Sequence, residues 1–127
     1  MSEVPADLRY TPEHEWIRVE GDKAIIGVTD YAQDALTDVV CVELPEVGMS
    51  VGAMESCGSV ESVKSVSEIY APIAGEVTEV NESLEDTPEQ INESPYSEGW
   101  IWKMTISEAG ELDALLDAAA YSELIGE

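Results

Sequence analysis

Lys64 has the side chain whose setting most clearly suggests chemistry. It is the sole cation in residues 58–77, GSVESVKSVSEIYAPIAGEV, in a chain with 5 lysines and arginines against 28 aspartates and glutamates. Acidic surroundings keep an ammonium group protonated, and a protonated amine is not a nucleophile, so Lys64 is poorly placed as a Schiff-base catalyst. A long, flexible amine is well suited to acylation by another enzyme, which removes its charge. The residue types therefore suit a modified lysine, while a solubilising loop lysine is the commoner explanation for such a residue.

The segments on both sides of Lys64 determine how it could be presented. They are short runs of Val, Ser and Glu that favour β structure, so a carrier lysine would have to project from the tip of a β-hairpin. Val63-Lys64 makes a poor two-residue turn, because β-branched residues disfavour positive φ. Turn propensity alone therefore does not place the tip at Lys64.

The rest of the chain offers few groups for catalysis. His14, the single histidine, lies in PEHEW, and a lone histidine beside acids is more often a surface or packing residue than a general base. GxSxG, GxxxxGK[ST], GxGxxG after a strand and HExxH are all missing from the sequence. Neighbouring strand residues point to opposite faces, so the glutamates beside His14 are not expected to join it in a metal site. We expect a non-catalytic protein with no catalytic residues and no metal site.

The charge of the chain limits its partners and suggests its surroundings. The formal net charge is −23, which argues against binding to nucleic acid or to an anionic membrane. The acids are spread along the whole chain, as expected for the surface of a folded domain. Because salt screens the repulsion among them, we expect a salt-rich cytoplasm and a stability that rises with salt. An ordinary acidic carrier that docks on basic partners is the alternative.

The sequence also carries information on compartment. It contains no run of eighteen apolar residues, and residues 1–16 lack the basic and apolar regions of a signal peptide. A cytoplasmic location is expected. Cys41 and Cys57 form no CxxC, which argues against zinc, and an intracellular chain keeps its thiols reduced. We expect both to be free structural thiols, with Cys41 buried in the apolar run VVCV at 39–42.

Short β-prone runs with turns between them dominate the chain. Residues 16–19 and 24–28 predict a hairpin, and Thr29 or Asp30 can cap a short helix after it. Alternation predicts two further strands, each with one apolar face: Val40, Val42 and Leu44 in 39–44, and Trp100, Trp102, Met104 and Ile106 in 100–106.

Helical signals are confined to short segments in the second half. Residues 81–92 are polar and indicate a surface segment with one helical turn beginning at Pro88. Residues 111–125 are predicted to be helical, but after Ala119 the apolar residues no longer fall on the same helix face. The segment can therefore form either one helix or two. Together the elements predict a mainly β domain, either a sandwich or a flattened barrel, with small helices at its end.

Beyond these patterns, residues 61–82, ESVKSVSEIYAPIAGEVTEVNE, resemble the lipoyl-attachment segment of the glycine cleavage system H-protein family. The resemblance extends in order along the chain from about Leu8. It includes YTPEHEWI (10–17), IGVTDYAQDALTDVVCVELPEVGMSV (26–51), LEDTPEQINESPYSEGWIWKM (84–104) and the ending ELDALLDAAAYSELI.

The resemblance implies a fold and a function. The fold would be the lipoyl/biotinyl-type hybrid barrel, mainly β and flattened, with two sheets and short helices, one of them C-terminal, in a single domain over residues 1–127. Lys64 would carry lipoate in amide linkage. The lipoyl arm would take an aminomethyl group from the pyridoxal-phosphate enzyme glycine decarboxylase to the aminomethyltransferase, and dihydrolipoamide dehydrogenase would reoxidise it. Lipoate-attaching enzymes would be further partners, and a monomer is expected.

Four further residues acquire expected roles from the resemblance. Glu61, Val63, Ser65 and Gly75 would help the lipoate-attaching enzyme to recognise the hairpin. Gly75 matches a turn glycine shared with lipoyl domains, where a Cβ would obstruct the backbone. Two departures are visible: Cys41 stands where the family usually has a large aromatic residue, and Ser65-Val66 replaces the usual Ala-Ala or Ala-Ser.

Three other functions are open at this point. A biotin carrier is disfavoured, because such carriers place Met on both sides of the lysine. A relay that hands octanoyl or lipoyl groups to other acceptors would use the same Lys64. A purely structural domain would leave the lysine unmodified, and Lys64→Arg would then have no effect.

Overall fold

The strands of the chain form two antiparallel sheets. The computed structural model describes residues 3–126. One sheet has six strands in the order β1-β2-β3-β9-β8-β5, and the other has three in the order β4-β6-β7. The strands are β1 (Arg9–Tyr10), β2 (Glu15–Glu20), β3 (Lys23–Val28), β4 (Val39–Glu43), β5 (Ser50–Val51), β6 (Ser56–Ser62), β7 (Val66–Tyr70), β8 (Gly75–Val80) and β9 (Trp102–Thr105). The fold is therefore the expected flattened barrel of two sheets, and the barrel is open.

Short helices connect and cover the sheets. They are α1 (Asp30–Leu36), α2 (Ser83–Asp86), α3 (Gln90–Glu93), a 3₁₀ helix (Ala109–Ala114) and α4 (Ala118–Leu124). The C-terminal region thus contains two helical pieces, as its broken apolar phase allowed. Within residues 3–126, no helix is long and apolar enough to cross a membrane.

The first hairpin and the helix after it follow the sequence closely. β2 and β3 pair from Glu15↔Val28 to Glu20↔Lys23, which confirms the predicted hairpin. Thr29 caps α1, since its side chain accepts a hydrogen bond from the amide of Ala32.

The six-stranded sheet is covered on both faces, because alternate residues of a strand point in opposite directions. Ile17 and Ile26 face the core between the sheets, which Val60 and Ile69 of the small sheet complete. Trp16 lies on the opposite face, in a second cluster with Leu8, Tyr10, Ile25 and Tyr121.

The predicted faces of β4 are correct for Val42 and Leu44 and wrong for Val40 and Cys41. Val39 and Val42 are buried, whereas Val40 is 50% exposed and Cys41 is also exposed. The cause is a register shift between Val39 and Cys41 in the pairing of β4 with β6, which interrupts the simple alternation of faces. Of the two cysteines, both of them free, Cys57 is the buried one.

Two other segments differ from their predictions in part. Residues 81–92 contain two short helices rather than one turn, and each anchors a fully buried side chain, Leu84 and Ile91. In 100–106, Trp102, Met104 and Ile106 belong to the core between the sheets as expected. Trp100 packs instead with the second cluster, because it precedes β9 and does not follow its alternation.

Candidate functional site: a lysine at a hairpin tip and the cleft beside it

Lys64 lies at the tip of the β6–β7 hairpin. The two strands pair up to Glu61↔Val66, and residues 63–65 connect them. The Ser62 amide donates a hydrogen bond of 2.8 Å to the Ser65 carbonyl and closes the turn. In residues 3–126, positive φ outside glycine occurs at His14, Thr37 and Met54, so the tip avoids the conformation that Val63-Lys64 disfavours.

The side chain of Ser62 explains how the tip forms. It is buried, and its hydroxyl oxygen accepts hydrogen bonds from the amides of Lys64 (3.2 Å) and Ser65 (3.1 Å). A serine hydroxyl that bonds to the following main chain is a known turn-forming device. The Val63 amide also donates to the Asp38 carbonyl at 3.2 Å, which ties the tip to the segment before β4. The backbone at Lys64 is thus held in place.

The side chains around the tip point into solvent. Lys64 is exposed, and Val63 and Val66 are 66% and 63% exposed. Among the residues that the structure describes, the one ion pair joins Lys103 to Glu79, so Lys64 has no carboxylate partner there. An amine on a fixed backbone with an unpaired, exposed head is accessible to an enzyme that acylates it.

The other predicted site residues occupy two places. Glu61, Val63 and Ser65 surround Lys64 on the hairpin, and all three are exposed. Gly75 is buried in β8 of the six-stranded sheet, where it pairs with Val51.

The requirement for glycine at position 75 is steric. A Cβ at Gly75 would lie 2.0 Å from the carbonyl oxygen of Thr105. The residue therefore permits a close approach of β8 to the end of β9, without positive φ. Whether it also contributes to recognition of the hairpin stays a prediction.

A cleft of about 300 Å³ opens beside the hairpin. Most of its lining comes from three parts of the chain: residues 13–15 at the entry to β2, helix α1, and residues 65–69 of the hairpin tip and β7. Val28 of β3 and Val60 of β6 complete it. The lining residues are Glu13, His14, Glu15, Val28, Tyr31, Ala32, Ala35, Leu36, Val60, Ser65, Val66, Ser67, Glu68 and Ile69. The hairpin that carries Lys64 thus forms one wall of an apolar cleft with a few acidic groups, a combination typical of ligand sites.

Glu15 is the buried acid of this cleft. One carboxylate oxygen accepts a hydrogen bond from the Thr11 hydroxyl (2.5 Å), and the other accepts from the Tyr70 amide (3.1 Å). Burial raises the pKa of Glu15 to about 7, although both hydrogen bonds oppose the rise. Glu15 therefore changes its charge near neutral pH.

His14 was expected to be a surface or packing residue, and it is a half-buried member of the cleft wall. Burial lowers the pKa of its imidazole, against the opposing effect of Glu13. Sequence reasoning missed this cleft, because its walls come from segments that are distant along the chain. No group of three or more potential metal ligands occurs in residues 3–126.

Comparison with known proteins agrees with this fold and site. The glycine cleavage H-protein family profile matches residues 8–127. The chain is 58% identical to the glycine cleavage system H protein of Symbiobacterium thermophilum and 55% identical to that of Halalkalibacterium halodurans; each match covers 100% of this chain and 99% of the relative. The crystal structure of the H protein from Mycobacterium marinum superposes with a TM-score of 0.90 at 42% identity, covering 98% of this chain and 100% of that one.

The flattened, open barrel of two sheets gives the chain a lipoyl-type fold. Among proteins with this fold, the chain belongs to the glycine cleavage system H-protein family. Family membership supports the role of a lipoyl carrier in the glycine cleavage system.

Proposed function

We propose that residues 1–127 form a single carrier domain that bears lipoate on Lys64. The observation that carries this proposal is the exposed amine of Lys64 at the hairpin tip. The hydroxyl of Ser62 holds the backbone of that tip in place. An enzyme that forms the amide needs access to the amine and a constant backbone shape to bind. The H-protein family assignment identifies lipoate as the group to expect.

Lipoate, once attached, supplies a disulfide that accepts an aminomethyl group and is later regenerated by oxidation. The chain itself contributes no catalytic residue in this proposal. Its partners carry out the reactions: glycine decarboxylase supplies the aminomethyl group, aminomethyltransferase removes it, and dihydrolipoamide dehydrogenase reoxidises the arm. The chain acts as a cytoplasmic monomer that presents Lys64 to each of them.

The cleft beside the hairpin gives the arm a place to rest. Its volume of about 300 Å³ and its apolar wall of Ala32, Ala35 and Leu36 suit a hydrocarbon chain with a sulfur-containing end. Glu13 and the buried Glu15 line the same space and would favour a protonated amine. We infer that the cleft shelters the carried group from water between partners.

The hairpin surface is the part that the lipoate-attaching enzymes would bind. Glu61, Val63 and Ser65 stand exposed around Lys64, and in this proposal they provide one charged, one apolar and one small polar contact. Gly75 contributes by keeping the neighbouring sheet in its close-packed form. The net charge of −23 favours partner surfaces that are basic around their active-site openings.

Lys64→Arg tests the proposal, since arginine keeps the charge and approximate length but forms no amide with lipoate. Lys23→Arg is the matched control, because Lys23 is an exposed lysine at the start of β3. We expect a lipoate-attaching enzyme to modify the wild type and Lys23→Arg but not Lys64→Arg, as measured by intact mass. Only the first two should support glycine cleavage with the three partner enzymes. A Lys64→Arg protein that supported glycine cleavage would contradict the proposal.

A further inference from the structure

Tyr121 connects the C-terminal helix to the cleft. It is fully buried in α4, and its ring stacks on Tyr10 with centroids 4.7 Å apart. Its hydroxyl lies 2.8 Å from Nδ1 of His14 and 2.7 Å from Oγ1 of Thr29. A single hydroxyl from the end of the chain therefore bonds to two side chains from its beginning.

These two side chains belong to different walls of the cleft. His14 lies in the loop before β2, between Glu13 and the first β2 residue Glu15, and its ring is 4.9 Å from that of Tyr31. Thr29 caps α1, whose residues form another wall, by accepting a hydrogen bond from the Ala32 amide at 3.2 Å. The position of each wall thus depends on a side chain that the Tyr121 hydroxyl bonds.

The backbone of His14 has a conformation that needs stabilising contacts, and the Tyr121 hydroxyl supplies one of them. His14 has φ 71°, a left-handed conformation that costs a non-glycine residue free energy unless its surroundings enforce it. The His14 carbonyl accepts a hydrogen bond from the Thr29 amide (3.1 Å), so the same two residues are joined by main chain and by side chain. Either direction of proton donation through Tyr121 keeps both side-chain bonds.

We propose that Tyr121 is a positioning residue that holds the two walls of the cleft at the spacing that shelters the arm. The proposal rests on the function proposed above, in which the arm borne by Lys64 rests in this cleft. It assigns α4 a role in carrier function, although no residue of α4 lines the cleft.

Tyr121→Phe tests the proposal, because it removes the hydroxyl and keeps the ring that stacks on Tyr10. Tyr10→Phe is the matched control: it removes a buried tyrosine hydroxyl from the same stack, but that hydroxyl donates to the Pro5 carbonyl (2.5 Å), which is not part of the cleft. His14→Asn removes the imidazole that bonds to the Tyr121 hydroxyl and leaves Tyr121 itself intact. Asparagine tolerates the left-handed backbone conformation at this position. This second variant keeps the test valid if Tyr121→Phe fails to fold.

The first readout needs no lipoate. Because His14 is the single histidine, its imidazole ¹⁵N signals in the full chain are unambiguous. We expect Tyr121→Phe to shift them and to speed hydrogen exchange of the Ala32 amide about fivefold, the factor that corresponds to one ordinary hydrogen bond. Tyr10→Phe should change neither. Unchanged imidazole signals in Tyr121→Phe would overturn the proposal.

The second readout measures shelter. Lipoylated proteins are charged with glycine and glycine decarboxylase, separated from the enzyme, and followed for release of ammonia into buffer. We expect release to be slower from the native wild type than from the unfolded protein, and about fivefold faster from Tyr121→Phe and His14→Asn than from the wild type.

The outcomes separate the two proposals. Equal release from native and unfolded wild type would overturn shelter by the cleft, and the role of Tyr121 with it. If ammonia is released equally slowly from the wild type, Tyr121→Phe and Tyr10→Phe, the cleft shelters the carried group but Tyr121 has no role in that shelter.

Discussion

Glu15→Gln removes a carboxyl group that folding buries to 1% exposure in the wall of the cleft. Burial raises its pKa from an ordinary 4.5 to about 7. At about 1.4 kcal/mol per pKa unit, this rise corresponds to a cost of about 3 kcal/mol for ionising Glu15 in the folded protein rather than the unfolded one.

The raised pKa determines how stability depends on pH. Below pH 4.5 the carboxyl is protonated in both states, and its contribution to stability is fully present. Between pH 4.5 and about 7 the unfolded chain releases the proton while the folded one keeps it, so stability falls as pH rises. Above that range both states are ionised and the loss is complete.

The assay is denaturant unfolding of the wild type and Glu15→Gln at pH 4.5 and pH 8, in molar salt that screens the other acids. Glutamine cannot ionise, so Glu15→Gln avoids the loss of stability that the wild type undergoes. The unfolding free energy of Glu15→Gln minus that of the wild type should therefore be about 3 kcal/mol larger at pH 8 than at pH 4.5. Glu13→Gln, an equal charge change at an exposed neighbour, should show little of this increase. A difference between Glu15→Gln and wild type that is the same at both pH values would refute the reasoning.

Three other perturbations have defined outcomes. Gly75→Ala should lower the unfolding free energy by about 3 kcal/mol, because the new Cβ would lie 2.0 Å from the Thr105 carbonyl oxygen. Gly52→Ala is the control, since a Cβ there would have nothing within 4 Å. Equal losses of unfolding free energy in the two variants would contradict the steric argument. A thiol reagent should modify exposed Cys41 rapidly and buried Cys57 slowly, since burial raises the pKa of Cys57 to about 12. Cys41→Ser should abolish the fast phase of modification. A fast phase that persists in this variant would contradict the assignment of fast modification to Cys41. The melting temperature should rise from low to molar salt because acidic self-repulsion is screened, whereas an unchanged value would contradict it.

The parts of the fold that depend on neighbours in sequence could be predicted from the sequence. The β2–β3 hairpin follows from two β-prone runs and a short turn, and the start of α1 follows from the capping side chain of Thr29. The faces of β4 could not be predicted, because the register shift that exposes Val40 and Cys41 exists only in the pairing with β6. Local patterns carry no information about such a shift.

The candidate site shows the same division. Lys64 stands out in the sequence by its charge, but only the family resemblance predicts that it is a carrier lysine. The serine at position 62 was visible in the sequence, yet its hydroxyl becomes a turn-forming group only after β6 and β7 have paired. The cleft joins segments spread over residues 13–69, and the contact of Tyr121 with His14 spans 107 residues, so no periodic pattern reports either of them.

The central claim is that Lys64 carries lipoate. The most direct measurement is the intact mass of the protein purified from its native cells, with peptide mapping across residues 58–77. We expect a lipoyl increment confined to the peptide that contains Lys64. An unmodified Lys64 in every native preparation would contradict it, because the hairpin would then present an amine that nothing acylates.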